Sequence, residues 1–163
     1  CATLVQAHWL GGPSPFDRLD PKVPINQMVT LPPATAQTQV LPFQLPDTAY
    51  ALCRYDTKSG AVAVRASLLG EASAFAVHTA DGGTAYSVVG QPGRRIDVAI
   101  LIVPAGEEFV QMPRSAPGAE SLLAVPVPSR RGIVVVQSTA AGTAYRAAAT
   151  AEVASASCAP AVR

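Results

Sequence analysis

Two histidines are the side chains in this sequence most able to act as catalytic bases, and neither has the partners that catalysis requires. A serine or cysteine nucleophile is activated by a nearby base, most often histidine, and the sequence offers only His8 and His78. His8 lies in a proline-rich segment, and His78 lies at a predicted strand end beside Asp81, where a solvated side chain is expected. The carboxylates of Glu107 and Glu108 also lie in turn-like sequence, and no Gly-x-Ser-x-Gly elbow is present. We therefore predict no catalytic residues and no enzymatic activity.

Side chains suited to metal and glycan binding are also few. A cupredoxin-like copper site needs a Cys, two His and usually a Met near the carboxyl end, but no His follows Cys158. Glycan-binding surfaces usually present several aromatic side chains, and aromatic residues form only 6% of this chain. We predict no metal and no cofactor, and a metal- or glycan-binding periplasmic module remains an alternative function.

The distribution of charge argues against a nucleic-acid partner. The chain carries 12 Lys and Arg against 11 Asp and Glu, a net charge of +1, and these residues are scattered along the sequence. Binding to a phosphate backbone depends on several Lys or Arg side chains acting together. We therefore expect no nucleic-acid partner.

Three cysteines, Cys1, Cys53 and Cys158, bear on the compartment in which the protein works. Cys53 lies in the first clear predicted strand and Cys158 lies near the carboxyl end, so the pair would enclose the predicted globular part. In the chain-entropy model a disulfide over a loop of this length stabilises the fold by about 4–5 kcal/mol. Two free buried thiols are the alternative. We predict the disulfide because Cys1 points to an oxidising compartment.

The amino-terminal residues resemble those of a mature bacterial lipoprotein. Cys1 and the small Ala2 are followed by a proline-rich tether, and in that family the first cysteine of the processed chain carries the lipid. The resemblance implies lipidation of Cys1 and a periplasmic, membrane-anchored protein, and Ala2 favours the outer membrane. It also leaves Cys53 and Cys158 as an even pair. The alternative is an ordinary secretory signal that ends at Ala7.

Residues 1–47 are predicted to form an extended, proline-rich arm. They hold eight of the fifteen prolines, a density that disfavours helix and central strand. The arm also carries apolar side chains at intervals, which a solvated disordered chain would lack. It therefore either wraps its own domain or lies along a partner, and the predicted partner-binding residues are Trp9, Phe16, Ile25 and Phe43.

The predicted globular domain, residues 48–163, is organised around a strand at residues 94–104. Its run from Val98 to Val103 is uniformly apolar and too short for a membrane helix, which needs ~20 residues. Polar and apolar residues do not alternate in this run, and many of its residues are β-branched. Both features indicate a strand buried on both faces. Alternation and turn signals predict further strands at residues 48–55, 61–69, 72–78, 84–89, 108–112, 121–127 and 132–137.

The alanine-rich stretch at residues 143–156 fits either a helix or a strand. Its alanines have high helix propensity, but Tyr145, Ala147, Ala149, Ala151 and Val153 also recur at strand period. We predict a strand, because it would complete an antiparallel sheet. The expected fold is then all-β, an antiparallel immunoglobulin-like β-sandwich preceded by the arm.

These features together predict a non-catalytic envelope lipoprotein. Its expected role is that of an accessory or structural subunit of a periplasmic or outer-membrane protein complex, such as a membrane-bound dehydrogenase, a secretion or pilus apparatus, or a surface filament. The expected partners are protein subunits of that complex, with membrane attachment through the lipid on Cys1. A coat or decoration protein of a symmetric assembly is a further alternative.

Overall fold

The structure, a computed structural model, describes residues 15–19, 22–38, 44–106 and 122–161. Two helices are found there, α1 (Pro15–Arg18) and α2 (Arg146–Ala154). Nine strands are found in the same residues: β1 (Met28–Thr30), β2 (Thr48–Asp56), β3 (Val62–Leu68), β4 (Ser73–Thr79), β5 (Thr84–Val89), β6 (Ile96–Pro104), β7 (Leu123–Val127), β8 (Arg131–Thr139) and β9 (Ser157–Pro160). No helix in this part of the chain is long and apolar enough to cross a membrane.

The strands form two sheets packed face to face. One sheet has the order β1-β2-β8-β4-β5 and the other has the order β7-β6-β3-β9. Every pair is antiparallel except β6 with β7, which is parallel. The predicted all-β sandwich is confirmed, with a mixed sheet as one of its two layers.

Strand β6 is buried on both faces, as its uniform apolar sequence predicts. Ile100 and Ile102 belong to the core between the sheets. Leu101 and Val103 point the other way and pack with Ala61 in a second apolar cluster. All four β6 side chains are at most 1% exposed, so neither face of the strand needs polar residues.

A disulfide between Cys53 and Cys158 joins the two layers. Cys53 lies on the inner face of β2, and Cys158 lies on β9 in the opposite sheet. The two residues are 105 positions apart in sequence, and their Cα atoms are separated by 6.4 Å. The predicted pairing is confirmed.

The prediction of a strand at residues 143–156 is wrong, because most of this stretch forms α2, after a 3-10 turn at Thr143–Tyr145. Ala149 and Val153, one helical turn apart, are its buried residues, and Val153 reaches the core between the sheets. High alanine helix propensity and this burial outweigh the strand-period pattern. The carboxyl-terminal strand is the shorter β9, which pairs with β3.

Glu152 fastens α2 to both layers of the sandwich. Its Oε1 accepts hydrogen bonds from the Leu69 N–H (2.8 Å) and the Ser73 hydroxyl (2.5 Å). Its Oε2 accepts one from the Ser138 hydroxyl, at 2.7 Å. Ser73 and Ser138 are both buried, so the carboxylate supplies the hydrogen-bond acceptor that each buried hydroxyl needs.

The described part of the arm packs on the outer face of the five-stranded sheet. Phe16, Leu19, Val23 and Leu31 form one buried cluster with residues of β2 and β8. Strand β1 pairs with β2 at the sheet edge, where a proline-rich segment can still form a short strand. A single helical turn, α1, does occur in the arm, contrary to expectation, and begins at Pro15, because a first-turn proline loses no helical hydrogen bond.

Some predictions concern residues outside the described ranges. The strand predicted at residues 108–112 is one of these, as are Cys1, Trp9 and Phe43. The predicted division of the chain at residue 47 stays a prediction. Where the arm is described, it shares an apolar layer with the domain.

Candidate functional site

A groove of about 150 Å³ opens between the arm, the start of β2 and α2. We call it the proline groove, because Pro32, Pro33 and Pro46 are among its lining residues. The other lining residues are Leu31, Asp47, Thr48, Ala49, Ala140, Arg146, Ala149 and Thr150. An engineered apolar cavity of about 150 Å³ holds one benzene-sized molecule, so the proline groove has room for one apolar side chain.

An ion pair spans one part of the proline groove. Nη2 of Arg146, the first residue of α2, lies 3.2 Å from Oδ1 of Asp47, just before β2. The two side chains are 52% and 66% exposed, and exposed pairs contribute only about 0–1 kcal/mol. The backbone is tied more firmly, since the Ala140 N–H donates to the Asp47 carbonyl at 2.8 Å. The ion pair can therefore open for a ligand without loss of the surrounding fold.

Two large exposed apolar side chains adjoin lining residues of the proline groove in the sequence, although neither lines the groove itself. Leu45 is 57% exposed and precedes the lining residue Pro46, while Tyr145 is 62% exposed and precedes the lining residue Arg146. A single exposed apolar side chain is ordinary, but several together around a concave apolar surface mark interaction sites. The groove suits non-covalent binding of an apolar group, and the Tyr145 hydroxyl is able to donate a hydrogen bond.

The four arm residues predicted to bind a partner do not converge on this groove. Phe16 is 3% exposed and buried against its own domain, which is the alternative that the sequence left open. Ile25 is 47% exposed and lies opposite Arg54 in an isolated bridge. Trp9 and Phe43 lie outside the described residues. Of these four, Ile25 is thus the residue seen at the surface.

Next to Ile25, hydrogen bonds between Asn26 and Asp56 attach the arm to the end of β2, and two arginines surround the Asp56 carboxylate. Asp56 is 9% exposed and lies between Arg130 Nε at 3.1 Å and Arg131 Nε at 3.2 Å. Its backbone N–H donates to Asn26 Oδ1 at 2.9 Å, and the Asn26 amide donates to the Asp56 carbonyl. Asn26 has φ 57°, a left-handed conformation that asparagine tolerates better than most residues. The adjacent Ile25 is therefore presented on a fixed backbone.

His78, the histidine considered as a base, lies half-buried on β4 with its Nδ1 3.2 Å from the Thr84 hydroxyl. Nearby, the Thr79 hydroxyl and the Gly83 N–H donate to Asp81, and these bonds hold the pKa of the Asp81 carboxyl below its usual range. Both sets of contacts close the β4–β5 turn. The absence of catalytic residues remains a prediction.

In the described ranges, no three His, Cys, Asp or Glu side chains lie close enough together to hold a metal ion. The predicted lack of a metal or cofactor is not tested by this finding. Cys1, the predicted lipidation site, lies outside these ranges.

The proline groove is a concave site that the sequence did not predict.

Comparison with known proteins supports the fold alone. No protein-family model matches the sequence, and no curated protein matches it either. Among solved structures, the VPA0106 protein from Vibrio parahaemolyticus is similar, with a TM-score of 0.58 and 12% sequence identity. The match covers 85% of this chain and 31% of that chain. The chain thus spans about a third of the length of the solved structure it resembles.

Proposed function

We propose that the protein is a non-catalytic accessory subunit of a periplasmic or outer-membrane protein complex and that it binds a partner subunit through the proline groove. The observation that carries the proposal is an apolar groove of about 150 Å³ whose lining residues Pro46 and Arg146 directly follow the exposed Leu45 and Tyr145. The expected ligand is an apolar side chain from the partner subunit. Binding would bury this side chain together with Leu45 and Tyr145.

The energetics of such a contact are favourable but modest. Burial of one aliphatic or aromatic side chain contributes about 1.5–3 kcal/mol, and central, well-enclosed side chains dominate protein interfaces. Pro32, Pro33 and Pro46 restrict the backbone around the groove, so little conformational entropy is lost there on binding. Ile25, fixed beside Asp56, is proposed as a second contact on the arm.

The proposed compartment draws support from the disulfide. Disulfides persist in oxidising compartments such as the bacterial periplasm and are rare in the cytosol. The Cys53–Cys158 bond, which links the two sheets, fits this location. Membrane attachment through a lipid on Cys1 is a separate proposal, and the mass of the amino-terminal peptide from native membranes tests it directly.

Co-purification tests the proposed function. A tagged full-length chain with Leu45→Ser and Tyr145→Ser should lose specific envelope proteins that the wild type retains, as measured by quantitative mass spectrometry. The matched control is Leu69→Ser with Leu123→Ser, because these two leucines are each 55% exposed but, unlike Leu45 and Tyr145, are not next in sequence to a residue that lines the groove. An identical set of bound proteins for all three forms would contradict the proposal.

A further inference from the structure

The β5 edge of the five-stranded sheet lacks the protection seen at the other sheet edges of the described chain. The edge strands are β1, β5, β7 and β9. β1 has three residues, β9 has four and ends at Pro160, and β7 contains Pro126. Short strands, prolines, charges and β-bulges are devices by which proteins prevent edge-to-edge pairing. β5 has six residues, TAYSVV, with neither proline nor charge. Its pairing with β4 has a bulge at Ala85, but the register is regular from Tyr86 to Val89.

The backbone of β5 offers hydrogen-bonding groups on its open side. The Gly90 N–H donates to the Ser73 carbonyl of β4 at 2.8 Å. Successive residues of a strand point their N–H and C=O groups to alternate sides, so Ser87 and Val89 direct theirs away from β4. Both residues are exposed, and Val89 is 65% exposed. No described residue pairs with β5 on this side.

We propose that this edge is a homodimer interface, in which β5 of one copy pairs antiparallel with β5 of a second copy about a two-fold axis at Val88. In this register Ser87 of each copy faces Val89 of the other. The outward N–H and C=O groups of both residues are then paired, which gives four intermolecular hydrogen bonds. The two five-stranded sheets become one continuous sheet.

Charge and symmetry favour a second copy of this chain as the occupant. An isologous pair places each residue of the strand against another part of the same strand, and β5 contains no charge that would meet its like. The turn before β5 carries Asp81 and the segment after it carries Arg94, both exposed. Antiparallel pairing brings the Asp81 turn of one copy towards the Arg94 turn of the other, so opposite charges meet at each end.

Sedimentation equilibrium of the full chain tests whether this dimer forms. We expect a reversible dimer with a dissociation constant between about 1 µM and 1 mM, a range suited to a small interface. Val89→Pro removes an outward N–H without removing a bond to β4 and should weaken the dimer about tenfold or more. Val89→Lys should do the same through charge at the edge. Leu69→Lys, at a similarly exposed position outside β5, should leave the dissociation constant unchanged.

Cross-linking tests the register. Val88→Cys in a Cys1→Ser background should form a disulfide-linked dimer under mild oxidation, because the two-fold axis places both copies of residue 88 opposite each other. Leu69→Cys in the same background should not. A wild type that stays monomeric to about 1 mM, or a dimer that persists in both Val89 variants, would overturn the proposal. A dimer without the Val88→Cys cross-link would overturn the register and the two-fold pairing with it.

Discussion

The guanidinium carbon of Arg54 lies 4.4 Å from the centroid of the Phe16 ring, and this contact fastens the arm to the outer face of β2. Arg54 Nη1 also donates to the Val23 carbonyl at 2.9 Å. A cation over an aromatic face contributes about 0.5–2 kcal/mol. The burial of the apolar Phe16 ring adds to the stabilisation from the cation–π contact. Phe16 therefore stabilises the domain although it lies in the arm, far from β2 in sequence.

Phe16→Ala should destabilise the protein by about 3–5 kcal/mol, the range for truncation of a buried phenylalanine. Chemical denaturation followed by fluorescence or circular dichroism measures the change. Phe16→Leu should have a smaller effect because it keeps apolar volume. Ile25→Ala, at an exposed arm position, should change the free energy of unfolding by less than ~0.5 kcal/mol. Equal, small effects of Phe16→Ala and Ile25→Ala would show that the arm does not support the fold.

Gly132→Ala should be strongly destabilising. A Cβ at Gly132 would overlap the Tyr55 phenol and the His78 carbonyl of β4. Tyr55 is fully buried, and β4 is paired with a strand on each side. Overpacking of a core usually costs about 1–3 kcal/mol, occasionally more. Gly70→Ala is the matched control, since nothing lies within 4 Å of a Cβ there. Similar midpoints of unfolding for the two variants would contradict the packing described for β2, β4 and β8.

Burial of Tyr55 should make its hydroxyl harder to ionise. Loss of solvation raises the pKa of Tyr55 from 10.0 to about 12, so the neutral phenol is favoured in the folded state. This contribution to stability is complete below about pH 10 and is lost as the pH rises towards 12. An ultraviolet titration of the phenolate should show a transition near pH 12 that Tyr55→Phe lacks. If Tyr55→Phe leaves the titration above pH 11 unchanged, the Tyr55 hydroxyl is not buried.

The Cys53–Cys158 disulfide should protect both thiols. Alkylation of the denatured, unreduced protein should label neither cysteine, and labelling of both should require reduction first. The double variant Cys53→Ser/Cys158→Ser should lose about 4–5 kcal/mol in the chain-entropy model for a loop of this length. Labelling without a reductant would argue against the pairing and against the proposed periplasmic location.

The sequence predicted most of the sheet because strands carry local patterns. β5 was expected at residues 84–89 and is found at Thr84–Val89. The uniform apolar run of β6 correctly indicated burial on both faces. β1 was missed because its three residues lie in proline-rich sequence and form a strand only through pairing with β2.

The helix α2 shows where local patterns fail. Ala149 and Val153 have helical spacing, but together with Tyr145, Ala147 and Ala151 they fit strand spacing equally well. The contacts that decide the matter are distant in sequence, since Glu152 binds Leu69 and Ser73, which are 83 and 79 residues away. The proline groove escaped prediction for the same reason. Its walls come from the arm, β2 and α2, and no single segment carries its pattern.

The central claim is that a partner subunit occupies the proline groove, and site-specific photo-cross-linking in the native envelope tests it most directly. A benzophenone amino acid at Tyr145 should give a discrete adduct with one envelope protein, and the same amino acid at Leu69 should not. Ala49→Leu, which fills the groove from its β2 side, should abolish the Tyr145 adduct while the protein remains folded by circular dichroism. If no adduct forms at Tyr145, or if it forms equally well with Ala49→Leu, the claim is contradicted.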